Sequence, residues 1–218
     1  MPLSDKEILY ARERGDIIID PFDERCLGTD SYDVRLGEFF YREESRDRGR
    51  DTTFDIFDAL DVQCIWGHPQ HAETPLYEMP GISRQDHVIR LEAGETILAH
   101  TQEFIGTRRN YTTKMFARSS AGRAMIGVCK CAGKGDVGFF NRWTMEITSF
   151  SRFHTIPLKV GMRIAQIEFL HVGETLRTYG VTHGKYQEGG DLDAIKAAWR
   201  PEMMLPKFYN DWELQHGK

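Results

Sequence analysis

The chain has 218 residues, 40% hydrophobic and 28% charged; that composition supports one ordinary core, excludes a disordered polymer and predicts a single domain over 1–218. The formal net charge of −5 argues against a general nucleic-acid binder, whose surface is basic. No apolar run approaches the ~20 residues of a membrane span, and no basic start leads into an apolar core as in a signal peptide. A cytoplasmic protein with reduced cysteines (Cys26, Cys64, Cys129, Cys131) is therefore expected.

Ser4 followed by Glu7 is a capping-box pattern, Ile8, Leu9 and Ala11 form an apolar stripe, and Gly15 is a stop signal. Together they predict a short amphipathic helix over 4–14. Residues 17–19 (III) predict a strand broken at Pro21, and residues 31–37 (SYDVRLG) a strand with a glycine turn behind it. Residues 42–53 are almost wholly polar and predict an exposed loop, whereas 54–66 mix two periods and receive no element. His68 and His71 flank Pro69 and are expected in a surface loop, without a helix to align them as metal ligands. From His87 onward strands and turns follow one another: HVIRL, a hairpin-type turn at Glu92-Ala93-Gly94-Glu95, then TILAHT and EFIGT.

Residues 114–150 hold a compact polar cluster, Arg118-Ser119-Ser120 with Arg123, between apolar-rich runs. Guanidinium forks bind phosphate or carboxylate bidentately, and the small residues between them let backbone N–H groups approach an anion. Residues 114–142 carry six basic side chains (Lys114, Arg118, Arg123, Lys130, Lys134, Arg142) against one acid, Asp136, which suits a discrete anionic ligand or a solvated basic face. Cys129 and Cys131 are two apart and would share one face of a strand as packing residues. Gly133-Lys134-Gly135-Asp136 reads as a turn, and the strand-like run after it carries one carboxylate, Glu146. That acid is either turned outward, or turned inward and held by partners such as an arginine.

Residues 162–169 alternate over eight positions behind a tight turn at Gly161 and are the clearest strand. Residues 191–199 predict a short helix that Pro201 and Pro206 interrupt, and the aromatic tail (Phe208, Tyr209, Trp212) packs either on a neighbour or on its own barrel. Many short strands and few helices indicate a sandwich or barrel.

The ordered motifs R-S-S-x-x-R, A-G-x-x-D-x-G-F and x-x-E-[IL] ten residues after the aspartate resemble the dCTP deaminase branch of the dUTPase-like trimeric nucleotide hydrolases. The N-terminal L-S-D-K-E-I, S-Y-D-V-R-L-G and the late G-K-Y-Q fit the same family; residues 42–87 match poorly and the tail after about 190 is unmatched. The resemblance implies an all-β distorted barrel with a short N-terminal helix and a partly helical C-terminal tail, assembled as a homotrimer with shared sites. It implies a hydrolase acting on dCTP, with Glu146 as acid/base and Ser119 and Arg123 holding the attacking water and reacting centre. Arg118 and Ser120 match triphosphate-binding positions, Ala132 a backbone that reads the pyrimidine edge, and Asp136 a contact to the sugar 3′-hydroxyl. Tyr179, Lys185 and Gln187 match a segment that closes over the phosphates, and Mg²⁺ would arrive on the triphosphate. The zinc-deaminase motifs H-x-E and P-C-x-x-C are both read as absent, so a metal-free mechanism without zinc is expected.

The family commonly has T-A-[GH]-x-I-D-P-G where this chain has Cys131-Ala132-Gly133-Lys134-Gly135-Asp136-Val137-Gly138, a looser turn. Release of dUTP and ammonia is the leading expectation. A bifunctional enzyme giving dUMP and pyrophosphate, a dUTPase, and a non-catalytic nucleotide-binding regulator are the alternatives. Sequence leaves open whether the base is a modified cytosine. Partners other than dCTP and copies of the chain, such as nucleic acid or membrane, are not expected.

Overall fold

The computed structural model describes residues 1–44, 53–181 and 184–216. Ser4 caps the first helix, α1 (Asp5–Glu13), where its hydroxyl accepts the Glu7 N–H and Glu7 Oε2 accepts the Ser4 N–H at 2.8 Å. Ile8 and Ala11 enter the core, and Gly15 (φ 74°) takes the left-handed conformation that ends the helix. The strands are β1 (Ile17–Asp20), β2 (Tyr32–Arg42), β3 (Gln70–His71), β4 (Val88–Leu91), β5 (Thr96–Thr107), β6 (Tyr111–Ala117), β7 (Ile126–Gly127), β8 (Lys134–Gly135), β9 (Phe140–Ser149), β10 (Ile156–Lys159) and β11 (Arg163–His171). The remaining α-helices are α2 (Ala59–Trp66), α3 (Ser119–Arg123), α4 (Leu192–Ala198) and α5 (Trp212–His216).

All strand pairs are antiparallel. The main sheet runs β7-β9-β5-β2-β11-β6-β8, with β1 on β5 and β3 on β2, and curls into a distorted barrel; β10 and β4 pair separately. In β11 the alternation buries Ile167 and Phe169 and leaves Gln166 and Glu168 partly exposed, each buried side chain contributing about 1.5–3 kcal/mol. Central to the sheet is β5, whose Ile97, Ala99 and Ile105 enter the main core while Leu98 and Phe104 join separate clusters on its other side.

Several expectations give way to long-range packing. Gly37 does not close a turn: β2 continues through it with a bulge, and a Cβ there would stand 2.0 Å from the His100 ring. TILAHT and EFIGT are one strand bulged at residues 100–104. There the buried Glu103 carboxylate accepts from the Arg35 backbone N–H (2.9 Å) and Nε (2.6 Å). The turn at residues 92–95 forms but makes no hairpin, because β4 pairs with β10 and β5 with β9 and β2. Lys134-Gly135 is a short strand on β6, not a turn, and Cys129 and Cys131 lie outside strands, the first buried and the second exposed. Within the unassigned 54–66, Asp58 caps α2 by accepting the Leu60 N–H at 2.9 Å. His71 is on β3 rather than in a loop. Most of the predicted 42–53 loop lies outside the described residues.

The first part of the tail packs on its own chain, whereas of its aromatic end Phe208 and Trp212 stay exposed. Asp191 caps α4, Ile195 buries against Phe104 and Phe140, and Met204 and Leu205 bury with Tyr41, Val62 and Leu98. Among the described residues no helix is long and apolar enough to cross a membrane.

Candidate active-site cleft

Period-two geometry builds the site. On β9, Trp143, Met145 and Ile147 point into the core, so Arg142, Thr144 and Glu146 share the other face. Across the ladder Phe104 pairs with Arg142, His100 with Thr144 and Leu98 with Glu146. This patch floors a cleft of about 640 Å³, walled by Trp66 of α2 and by Trp199, Met203, Met204 and Pro206 of the tail. Ala132, Asp136, Tyr179 and Lys185 line it as well. The volume is typical of small-molecule sites.

Glu146 has the chemistry of an exchangeable proton site. Its Oε2 is buried without a hydrogen-bond partner, and no ion pair to it occurs among the described residues. The arginine partnership left open by the sequence is therefore not formed. Burial pushes its carboxyl pKa up, against smaller opposing pulls from a hydrogen bond to its own backbone N–H and from the Lys130 charge. An acid shifted upward is partly protonated nearer neutral pH and can both accept and return a proton.

His100 lies beneath the cleft, 1% exposed. The Phe39 N–H donates to its Nε2 at 3.2 Å, leaving Nδ1 to donate to the Thr101 carbonyl at 2.8 Å. Burial pushes its pKa down to about 4, so the ring is neutral and structural at neutral pH. Its ring centre is 4.7 Å from that of Trp199. The Arg142 guanidinium stands 4.6 Å from the Trp199 ring centre and 5.1 Å from that of Phe104, and its buried Nε has no hydrogen-bond partner among the described residues.

The other expected residues divide. Asp136 is exposed and paired with Lys134. Lys185 is held by the Asp211 carboxylate and donates to the Lys207 carbonyl at 3.3 Å. The Tyr179 hydroxyl accepts the Tyr186 N–H at 3.1 Å. Gln187 does not line the cleft; its Oε1 accepts the Phe140 N–H at 2.8 Å and so docks this segment on β9. Arg118, Ser119, Ser120 and Arg123 also do not line the cleft that contains Glu146. The two serines and Arg123 are exposed on α3, while Arg118 precedes the helix and pairs with Asp33 at 3.1 Å.

Sequence reasoning named Arg142 only within a basic surplus and passed over Thr144, both of which the period of two back from Glu146 would have placed beside it, and it passed over Trp66 and Trp199, which no local pattern could have found. His71-Ala72-Glu73 does spell H-x-E, yet His71 Nε2 faces Glu38 at 3.3 Å. Among the described residues no three His, Cys, Asp or Glu side chains converge as a ligand set.

The dCTP deaminase-like family matches residues 2–172. The chain belongs to that family. Among its relatives, a dUMP-forming dCTP deaminase of Methanopyrus kandleri is 32% identical over 190 residues, covering 84% of this chain and 89% of the relative. A dUMP-forming dCTP deaminase of Leptospira biflexa is 34% identical over 189 residues, covering 86% and 90%. In three dimensions the chain is similar to a 2′-deoxycytidine 5′-triphosphate deaminase from Agrobacterium tumefaciens, with a TM-score of 0.54 and 20% identity. That match covers 79% of this chain but 48% of the other, about half its length, and supports the shared deaminase fold alone.

Proposed function

We propose that this deaminase-family chain hydrolyses the C4–N bond of the cytosine in dCTP, with Glu146 as the proton shuttle. The observation that carries the reading is the Glu146 carboxyl: raised by burial, free of any ion pair among the described residues, and in one cleft with Ala132 and Asp136. Glu146 takes a proton from water as the oxygen adds to C4 and delivers it to N3; it then takes the proton of the new C4 hydroxyl and passes it to the amine as the C4 carbonyl forms and the C4–N bond breaks. Water and the amino nucleotide become the C4 carbonyl and ammonia, and the carboxylate is restored. Ser119 and Arg123 orient the water, and Arg118, Ser120 and Lys185 bind the triphosphate.

Those four residues from 118 to 123 do not line this chain's own cleft with Glu146, which favours a homotrimer in which a neighbour supplies them. A magnesium ion would come with the triphosphate and neutralise part of its charge. Asp136 offers an oxygen donor at the cleft, and an ion that keeps phosphate and water ligands needs no protein cage.

A second product reading, dUMP with pyrophosphate, is favoured by the dUMP-forming names of both relatives. Incubation with dCTP and with dUTP tests all readings. Ammonia alone supports simple deamination, and ammonia with pyrophosphate supports the bifunctional reaction. Pyrophosphate from dUTP alone, or binding without turnover, would overturn the deaminase reading.

A further inference from the structure

Lys185 lines the cleft, yet its ammonium is already taken. It pairs with the Asp211 carboxylate, and both side chains are less than a third exposed. The two stretches of chain also clasp one another through their backbones. Lys185 Nζ donates to the Lys207 carbonyl at 3.3 Å, and Lys207 Nζ donates back to the Lys185 carbonyl at 3.0 Å. The Lys207 N–H donates to the Tyr186 hydroxyl at 3.2 Å. This clasp follows directly on Met203, Met204 and Pro206, which wall the cleft.

The clasp is held differently from the tail before it. Met204 and Leu205 are buried, whereas from Pro206 to Leu214 no described side chain is, and Phe208 and Trp212 are exposed. A stretch without buried apolar contacts opens at low free energy. Residues 207–211 are therefore held mainly by the Lys185–Asp211 pair, its polar neighbours and the edge-on contact of Phe208 with Phe57.

The inference rests on the reading in which Lys185 binds the triphosphate. Of the residues given that role, Lys185 alone lines this chain's own cleft. An ammonium is a point charge that pairs with a carboxylate or with a phosphate oxygen. Both cannot occupy one place beside it, so a phosphate has to displace Asp211. A ligand that binds only the open fraction of a protein loses apparent affinity by that fraction.

We propose that residues 207–211 are an autoinhibitory strap, in which Asp211 occupies Lys185 in place of a substrate phosphate until a polyphosphate chain displaces it. The tail is thus a competitor built into the chain, and its closure and polyphosphate binding exclude one another.

The experiment measures isotherms of dCTP and of inorganic tripolyphosphate on the full-length wild type, Asp211→Asn, Lys185→Met and the double variant. Asp211→Asn should bind both ligands about three- to fivefold more tightly, the worth of a partly solvated ion pair. That gain should vanish where Lys185 is replaced. Unchanged or weaker binding by Asp211→Asn, a gain that persists without Lys185, or no binding of either ligand overturns the proposal. Hydrogen exchange of the wild type decides without any variant, should one fail to fold. Amides of residues 208–216 should exchange faster with tripolyphosphate bound. Slower or unchanged exchange there means that the tail stays closed over the phosphates, and overturns the strap. Tripolyphosphate carries no base, so its isotherms stand whether or not the chain deaminates. Absence of ammonia from dCTP, with the gain in Asp211→Asn intact, would overturn the deamination reading alone.

Discussion

Arg118 Nε lies 3.1 Å from Asp33 Oδ2, and the Arg163 guanidinium reaches the same oxygen at 3.1 Å. One carboxylate on β2 thus braces an arginine expected to meet phosphate against a second arginine on β11. Asp33→Asn should cost about 1 kcal/mol of stability, since both arginines are partly solvated, and should weaken dCTP binding about tenfold through loss of positioning. A thermal melt beside a binding isotherm checks this; undiminished affinity would leave Asp33 a purely structural brace.

If a neighbour supplies Arg118, two dead variants can rescue one another. Mixed trimers of Glu146→Gln and Arg118→Ala should recover activity after unfolding and refolding together, reaching roughly a quarter of the wild-type rate from the sites that pair two intact halves. Rate assays across mixing ratios read this out. No recovery in verified mixed oligomers would place the whole site in one chain.

Glu146→Gln keeps shape and hydrogen-bonding capacity but cannot exchange a proton near neutral pH. Turnover should fall by at least ~10²–10⁴-fold, while the melt at neutral pH should not fall, because no ion pair is broken. The raised carboxyl adds a pH signature. Wild-type Glu146 keeps its proton longer in the folded than in the unfolded chain, whose value is near 4.5. Its contribution is therefore fully present below that value and is lost as pH rises through the folded pKa. The Tm of Glu146→Gln relative to wild type should accordingly increase from pH 4 to pH 8; a flat difference would mean that burial does not raise this carboxyl.

His100 works in the opposite sense. Its pKa is pushed from 6.5 down to about 4, so its contribution is complete above pH 6.5 and is lost as pH falls through about 4. The loss amounts to roughly 3 kcal/mol, from the free-energy equivalent of that shift. Melts of wild type and His100→Gln between pH 7 and 4 should converge toward acid, and parallel curves would exclude this ring as the titrating group.

Trp199 covers both His100 and Arg142 from the tail. Trp199→Ala should destabilise by about 2–3 kcal/mol, the lower range for an aromatic truncation because the ring is not fully buried. It should also open the cleft and raise KM for dCTP. Wild-type stability and KM in this variant would show that the tail only rests on the barrel.

Local features were legible before any fold was known. The capping box at Ser4 and Glu7, the alternation of residues 162–169 and the helix after Asp191 each follow from caps or periods contained within a few residues. The ordered motifs likewise brought Ala132, Asp136 and Glu146 to attention, and the fold puts all three in one cleft. Tertiary structure alone decided the rest, because partners distant in sequence leave no local period. It sent β4 to β10, ran β2 through Gly37 to make room for His100, and laid Trp199 and Met204 over the cleft. It also left Glu146 without the arginine that a buried acid could have taken, since Arg118 found Asp33 and Arg35 found Glu103. A carboxyl buried without a cation holds its proton more tightly than a paired one, and only the packing of the whole chain determines which of these Glu146 becomes.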